Sequence, residues 1–215
     1  MDIAQEELGD EYFVQTSMTD PNYHFAYTRI RKNNTTFLRP YDLKYRVHHG
    51  IWIDIFPLAA VNPGLSLEIK RKVISLSYFV QIGEKINSHK PEFQKMLGLV
   101  GMTIMNTFSK LPMKTRQRIH NMMLKPIYNA NPENCSHIAN VWGNITTIFP
   151  KEVYEGEPAE LCFEGVMFKA PCDYKKYLEI TYGDYMKLPP EEARKGHGEN
   201  VIIDLNNSYE KYMKL

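Results

Sequence analysis

Asp54 is a carboxylate set in GIWIDIF (Gly50–Phe56), where its neighbours on both sides are apolar. On an extended chain Ile51, Ile53 and Ile55 point one way and Trp52, Asp54 and Phe56 the other. Burying an ionised carboxylate costs several kcal/mol unless it is paired or bound to a cation. Two readings stay open: a metal ligand on an active-site strand, or an Asp bonded to a neighbouring loop or a buried arginine. His48 and His49 immediately precede this strand, and adjacent residues point to opposite sides, so at most one shares a site with Asp54. Such an imidazole donates to a phosphate, ligates a metal, or simply caps the strand. Upstream, Arg29, Arg31 and Lys32 lie in YTRIRKNNTTF. Arg29 and Arg31 share one strand face and together could clamp a phosphate; the alternative is a solvated basic edge. Glu164, Asp184 and His197 are further polar residues in apolar or aromatic surroundings, equally suited to capping or turn roles.

Several chemistries are excluded by pattern. The chain has no GxxxxGK[ST] loop, no GxGxxG, no GxSxG elbow and no HExxH. Cys135, His137, Cys162 and Cys172 could in principle hold zinc, but their spacing matches no common zinc module. Three cysteines without a CxxC pair read as reduced, buried thiols rather than a disulfide framework. With 26 Lys+Arg against 25 Asp+Glu, the net charge of +1 gives no broad basic field, so nucleic acid is not an expected partner. Met1–Asp10 is acidic and lacks an apolar core, and Met96–Met105 is far short of the ~20 residues of a membrane span. The expected location is cytoplasmic, with peripheral attachment to a membrane left open.

The elements that must position these residues fall into three zones of an α+β chain of 215 residues. In 1–63 a short helical start precedes strands at Glu11–Gln15, His24–Arg31 and Gly50–Phe56, with TDPNY and KNNTT as turns. In 64–130, apolar residues at three- and four-residue steps predict helices from Ser66, from Pro91 to about Ser109, and from Pro112. Lys110–Lys125 is basic, read as a solvated helix face or one that meets anionic lipid. The last zone, 131–215, reads as loop-rich. It holds a hairpin turning at Glu164-Gly165, a helix over Asp173–Ile180, and an aromatic loop, Tyr182–Pro190, ordered by tertiary packing. Val201–Leu205 is a strand or the start of a terminal helix.

Taken together, YFVQTSMTDPNYHFAYTRIRKNNTTFLRP, HHGIWIDIFPLAAVNP and FEGVMFKAPCDYKKYLEITYGDYMKLPP, with His197 downstream, resemble the LicD family in order and approximate separation. IDIFPL after HHG and the YGDYMKLPP segment are the most specific parts. The resemblance implies a nucleotidyltransferase-like fold. It also implies transfer of phosphocholine, or a related phospho-alcohol, from a CDP-linked donor to a sugar hydroxyl of a cell-surface glycan or glycolipid, such as teichoic acid or lipopolysaccharide. Work on such an acceptor implies peripheral contact with the inner membrane leaflet. Mg²⁺ is the implied cofactor, with Asp54 as its later carboxylate ligand and Arg29, Arg31 and Lys32 steadying donor phosphates. His48 and His49 fall beside Asp54 in the family's catalytic stretch, and Glu164, Asp184 and His197 match further family positions on the substrate side. The carboxylate-rich W-DDD-I-D type motif of the family has no counterpart here. The chain is therefore expected to be the C-terminal portion of a single such domain, holding Mg²⁺ weakly. The alternative is a non-catalytic remnant that only binds a partner or glycan.

Overall fold

The alternating residues of TRIRK and WIDI form neighbouring strands of one antiparallel sheet. The structure, a computed structural model, describes residues 2–23, 25, 27–82, 103, 107–108, 110–141, 145–194 and 201–213. Helix α1 (Asp2–Leu8) leads into β1 (Tyr12–Gln15), which pairs with β2 (Thr28–Lys32). After β3 (Thr36–Leu38), β4 (Trp52–Ile55) pairs with the other edge of β2. Residues directly opposite share a face. The register sets Gln15 opposite Arg29 and Arg29 opposite Asp54, with Phe13, Arg31 and Trp52 in the next row. One face of the sheet thus carries both arginines and the carboxylate.

Strand β2 starts four residues later than the alternation from His24 predicts. Tyr23, Phe25 and Tyr27 gather around the Arg29 guanidinium instead, with ring centres 5.7, 4.8 and 5.3 Å from it. Packing rings on a buried cation outweighs continuing the pleat. The turn after β2 places Asn34 at φ +56°, where asparagine is tolerated. Gly50 has a steric reason to be glycine: a Cβ there would lie 2.3 Å from the Lys32 carbonyl oxygen. That close approach accompanies the bond from Lys32 N–H to Ile51 O, 2.7 Å, which joins the start of GIWIDIF to the end of β2.

A second antiparallel sheet has the order β5 (Leu58–Val61), β6 (His137–Val141), β7 (Ile145–Pro150). Against it pack α2 (Leu65–Ile82) and α3 (Met113–Tyr128), whose Leu67, Ile74, Leu124 and Ile127 meet Val61, Ala139 and Val141 in the core. Its strands are short and rich in alanine, and only β5 belongs to the first zone. The last zone is therefore less loop-rich than its composition suggests. Two buried polar residues of α3 find partners across the fold: His120 Nδ1 lies 3.0 Å from Ser77 O, and Gln117 Nε2 donates to Ser17 O. In the basic stretch Lys114, Arg118 and Lys125 are exposed, whereas Arg116 is buried. The helix expected from Pro91 lies outside the described residues apart from Thr103, Thr107 and Phe108, which are helical.

Strands β8 (Ala159–Phe163) and β9 (Val166–Ala170) form the expected hairpin, its turn at Glu164 (φ +49°) and Gly165 (φ +81°). Asp173 caps α4 (Tyr174–Tyr182) by accepting from Lys176 N–H at 3.0 Å, and Tyr177 stacks on Phe149 of β7 at 4.7 Å. The loop after α4 departs from expectation. Tyr182, Met186 and Leu188 are exposed, so tertiary packing does not bury this segment. Strand β10 (Ile202–Asp204) resolves the open choice for that stretch by pairing with β3. The cysteines are free, as expected, but not buried: Cys162 is exposed, and Cys135 and Cys172 are half-buried. No described helix is long and apolar enough to cross a membrane.

Candidate functional site

Two buried arginines organise the sheet face that β1, β2 and β4 share. Arg29, 7% exposed, donates from Nε to Asp54 Oδ1 at 2.7 Å and from Nη2 to the Tyr27 hydroxyl at 2.7 Å. Arg31, 2% exposed, donates from Nε to Gln15 Oε1 at 2.7 Å and from Nη1 to Gly50 O at 2.8 Å. Neither of its partners is charged. A third arginine comes from the turn after β3: Arg39 forks onto the Asp42 carboxylate at 2.7 and 3.1 Å. All three guanidinium groups lie over the Trp52 ring, at 4.8, 4.7 and 5.6 Å for Arg29, Arg31 and Arg39. Phe37 meets the same indole edge-on at 4.8 Å. The groups enclose a hollow of about 240 Å³, closed further by Tyr23, Phe25, Tyr45, Val47 and His49.

The electrostatics follow from burial and like charge. Desolvation, reinforced by neighbouring Arg29, pushes Arg31 down to about 10. Burial likewise lowers His49, whose Nε2 lies 2.9 Å from Tyr45 O. Both carboxylates of the site are already bonded to an arginine, which leaves Arg31 as the one of the three with no directly bonded carboxylate among the described residues; Asp54 and Asp20 act on it only from a distance.

Of the residues singled out from sequence, Arg29, Arg31 and His49 line this hollow, and Asp54 joins it through Arg29. His48 does not line this hollow. It stacks on Phe13 at 5.2 Å, lies 4.9 Å from Tyr209, and lines a separate hollow of about 340 Å³. Burial and Arg31 push it down to about 4, so its ring is neutral at pH 7. Lys32 is exposed and, by the pleat, on the opposite face of β2 from Arg29 and Arg31. Glu164 is exposed at the β8–β9 turn, and Asp184 lines a shallow surface depression with Lys175, Lys176 and Glu179. His197 lies outside the described residues.

Sequence reasoning passed over Arg39, Asp42, Trp52 and Gln15 as members of the site. The signal for the first two was present: Arg39 precedes Pro40 and lies three residues before Asp42, and the Asp42 carboxylate accepts from the Arg39 backbone N–H at 3.2 Å as well as from its guanidinium. Gln15 could be found only through the pairing of β1 with β2.

The donor set does not fit Mg²⁺. Asp54 accepts from Arg29, Asp42 holds Arg39, and among the described residues no three His, Cys, Asp or Glu side chains converge to hold a metal ion. Mg²⁺ sites are built from oxygen ligands in near-octahedral geometry, which guanidinium groups cannot supply. Cys135, His137, Cys162 and Cys172, all among the described residues, do not converge into a zinc site either.

No protein-family model matches the chain, and no solved structure matches it. A stretch of 35 residues, 16% of the chain, is 54% identical to the lipopolysaccharide cholinephosphotransferase LicD of Haemophilus influenzae. The matched stretch spans 13% of that relative's length, so the similarity is local, and it points to the LicD family.

Proposed function

We propose that the chain is a LicD-like transferase component of nucleotidyltransferase-like fold. It would move phosphocholine or a related phospho-alcohol from a CDP-linked donor to a sugar hydroxyl of a cell-surface glycan, such as lipopolysaccharide or teichoic acid. The observation that carries this reading is the hollow in which Arg29, Arg31 and Arg39 converge on one face of the β1–β2–β4 sheet. Phosphoryl transfer is chiefly positioning and charge neutralisation, and converging guanidinium groups supply both to a donor phosphate. The local similarity to a cholinephosphotransferase supports phosphocholine as the group moved, and its name supports a lipopolysaccharide acceptor.

In this reading His49 borders the donor phosphate, and Asp54 fixes Arg29 rather than contacting the donor. Lys32, His48, Glu164, Asp184 and His197 would serve the acceptor or the outer parts of the donor. No step is assigned to Mg²⁺. A second reading is favoured by a specific observation: Asp54, the one carboxylate within the WIDI strand, is occupied by Arg29. A site so neutralised binds a phosphorylated ligand without turning it over, as a non-catalytic binding domain would.

Incubating the purified chain with CDP-choline labelled in the choline and with lipopolysaccharide tests both readings. Label transferred to the glycan supports the transferase. Saturable CDP-choline binding without transfer supports the binding domain, and absence of both rejects the donor assignment.

A further inference from the structure

We propose that the three-arginine hollow binds a phosphate-type anion, of the size of a diphosphate, without a divalent cation. This deepens the donor reading for the same site but rests on binding alone, so a failure to find transfer leaves it standing.

The charge count leads to it. Arg29 and Arg39 each hold one carboxylate, whereas Arg31 is 2% exposed and bonded only to a neutral amide and a peptide carbonyl. Asp54 and Asp20 act on Arg31 without bonding it, so its burial is not fully offset, and an anion that enters the hollow Arg31 lines relieves the remaining cost. Burial and the charge of Arg29 already strain its protonated form, and a bound anion reverses that effect.

Shape narrows the ligand. About 240 Å³ is smaller than the ~300–1,000 Å³ of pockets that hold drug-sized molecules, so the hollow takes a headgroup rather than a whole nucleotide. Three guanidinium groups arriving from β2 and from the turn after β3 suit an anion with oxygens in several directions. A phosphate provides these, and a planar carboxylate does not. The aromatic rings do not make this a cage for an ammonium group. The Trp52 face carries three guanidinium groups within 5.6 Å, which would repel a second cation. The anionic end of a zwitterionic ligand would enter this hollow and its cationic end would stay outside.

Metal-assisted phosphate sites bring carboxylates to the ion and the ion to the phosphate, whereas here the carboxylates are spent in orienting arginines. The guanidinium groups themselves do the neutralising.

Isothermal titration calorimetry of the full chain with inorganic diphosphate and inorganic phosphate, in EDTA and then with excess Mg²⁺, tests this. The expected result is saturable binding in EDTA, tighter for diphosphate than for phosphate, and no tighter with Mg²⁺. Arg39→Ala, at a partly exposed position, should fold and weaken diphosphate about tenfold or more, the loss of a charge-assisted bond. Lys114→Ala, on the exposed side of α3, should change affinity less than about twofold, the surface-charge background. Displacement of diphosphate by phosphocholine or cytidine monophosphate assigns the phosphate to an organic ester; failure of both to displace it assigns the site to the inorganic anion. Binding that appears only with Mg²⁺, no saturable binding in EDTA, or an equal loss in Lys114→Ala would overturn the proposal.

Discussion

Replacing Asp54 with alanine separates two accounts of this carboxylate by the sign of the stability change. The Asp54 side chain is 28% exposed and Arg29 is 8% exposed, so the 2.7 Å pair is neither a surface contact nor fully desolvated. Surface pairs contribute ~0–1 kcal/mol, and breaking a buried pair costs ~3–5 kcal/mol because it strands the other charge. Arg29 keeps its bond to Tyr27 and its ring contacts, which softens the loss. The expected cost is about 2–3 kcal/mol, read as a lower urea midpoint with an unchanged slope. At ~2–4 °C per kcal/mol for a chain of this size, the melting temperature should drop by about 5–10 °C. Asp54→Asn keeps an acceptor oxygen for Arg29 and should cost about 1 kcal/mol. A double-mutant cycle with Arg29→Met should return a coupling energy above about 1 kcal/mol, since the two side chains touch. A carboxylate held only to await a metal would contribute nothing to the fold, and its removal would leave the chain as stable as before or more so. An Asp54→Ala variant as stable as the parent, or more so, refutes the structural pairing argued here.

Three further outcomes follow from the geometry. Gly50→Ala should unfold the β2–β4 junction or cost more than ~2 kcal/mol, because the new Cβ would lie 2.3 Å from Lys32 O and 2.7 Å from the His48 ring; urea unfolding measures it. For His48 the folded pKa of about 4 lies below the ordinary 6.5, so the unfolded chain takes up the proton first. Stability is therefore full above pH 6.5 and falls as pH drops toward 4, and His48→Gln should flatten that part of the pH profile of the urea midpoint. Phe163 and Phe168, 66% and 53% exposed on the β8–β9 hairpin, should tolerate replacement by serine within ~0.5 kcal/mol, while Ile74→Ala in the core costs ~2–5 kcal/mol.

The site was legible where local pattern and pairing agree. TRIRK and WIDI alternate strictly, so period alone put Arg29 and Arg31 on one side of their strand and Trp52 beside Asp54 on one side of theirs. Which arginine met the carboxylate depended on register between strands 25 residues apart, and no local signal carries that. His24–Arg31 was read as one strand because its residues alternate, but Phe25 and Tyr27 pack their rings on the Arg29 guanidinium and the strand starts only at Thr28. LAAV and HIANV were missed because small residues blur the alternation, and their stability comes from the helices above them. The Tyr182–Pro190 loop failed for the opposite reason: Pro189-Pro190 ruled out a regular helix and so pointed to ordering by tertiary packing, but composition does not specify what there is to pack against.

Pairing of β10 with β3 has a consequence for the order of assembly. Asp204 lies opposite Thr36, Asn207 O accepts from the Thr36 hydroxyl, and Tyr209 reaches both His48 and His49, at 4.9 and 5.5 Å. Contacts spanning so much chain require a long loop to close and form late. The arginine hollow is built from residues 23–52, yet the ring that backs its histidine wall is translated more than 150 residues later. On the ribosome, the arginine-bearing sheet must wait with that wall unsupported until Tyr209 has emerged.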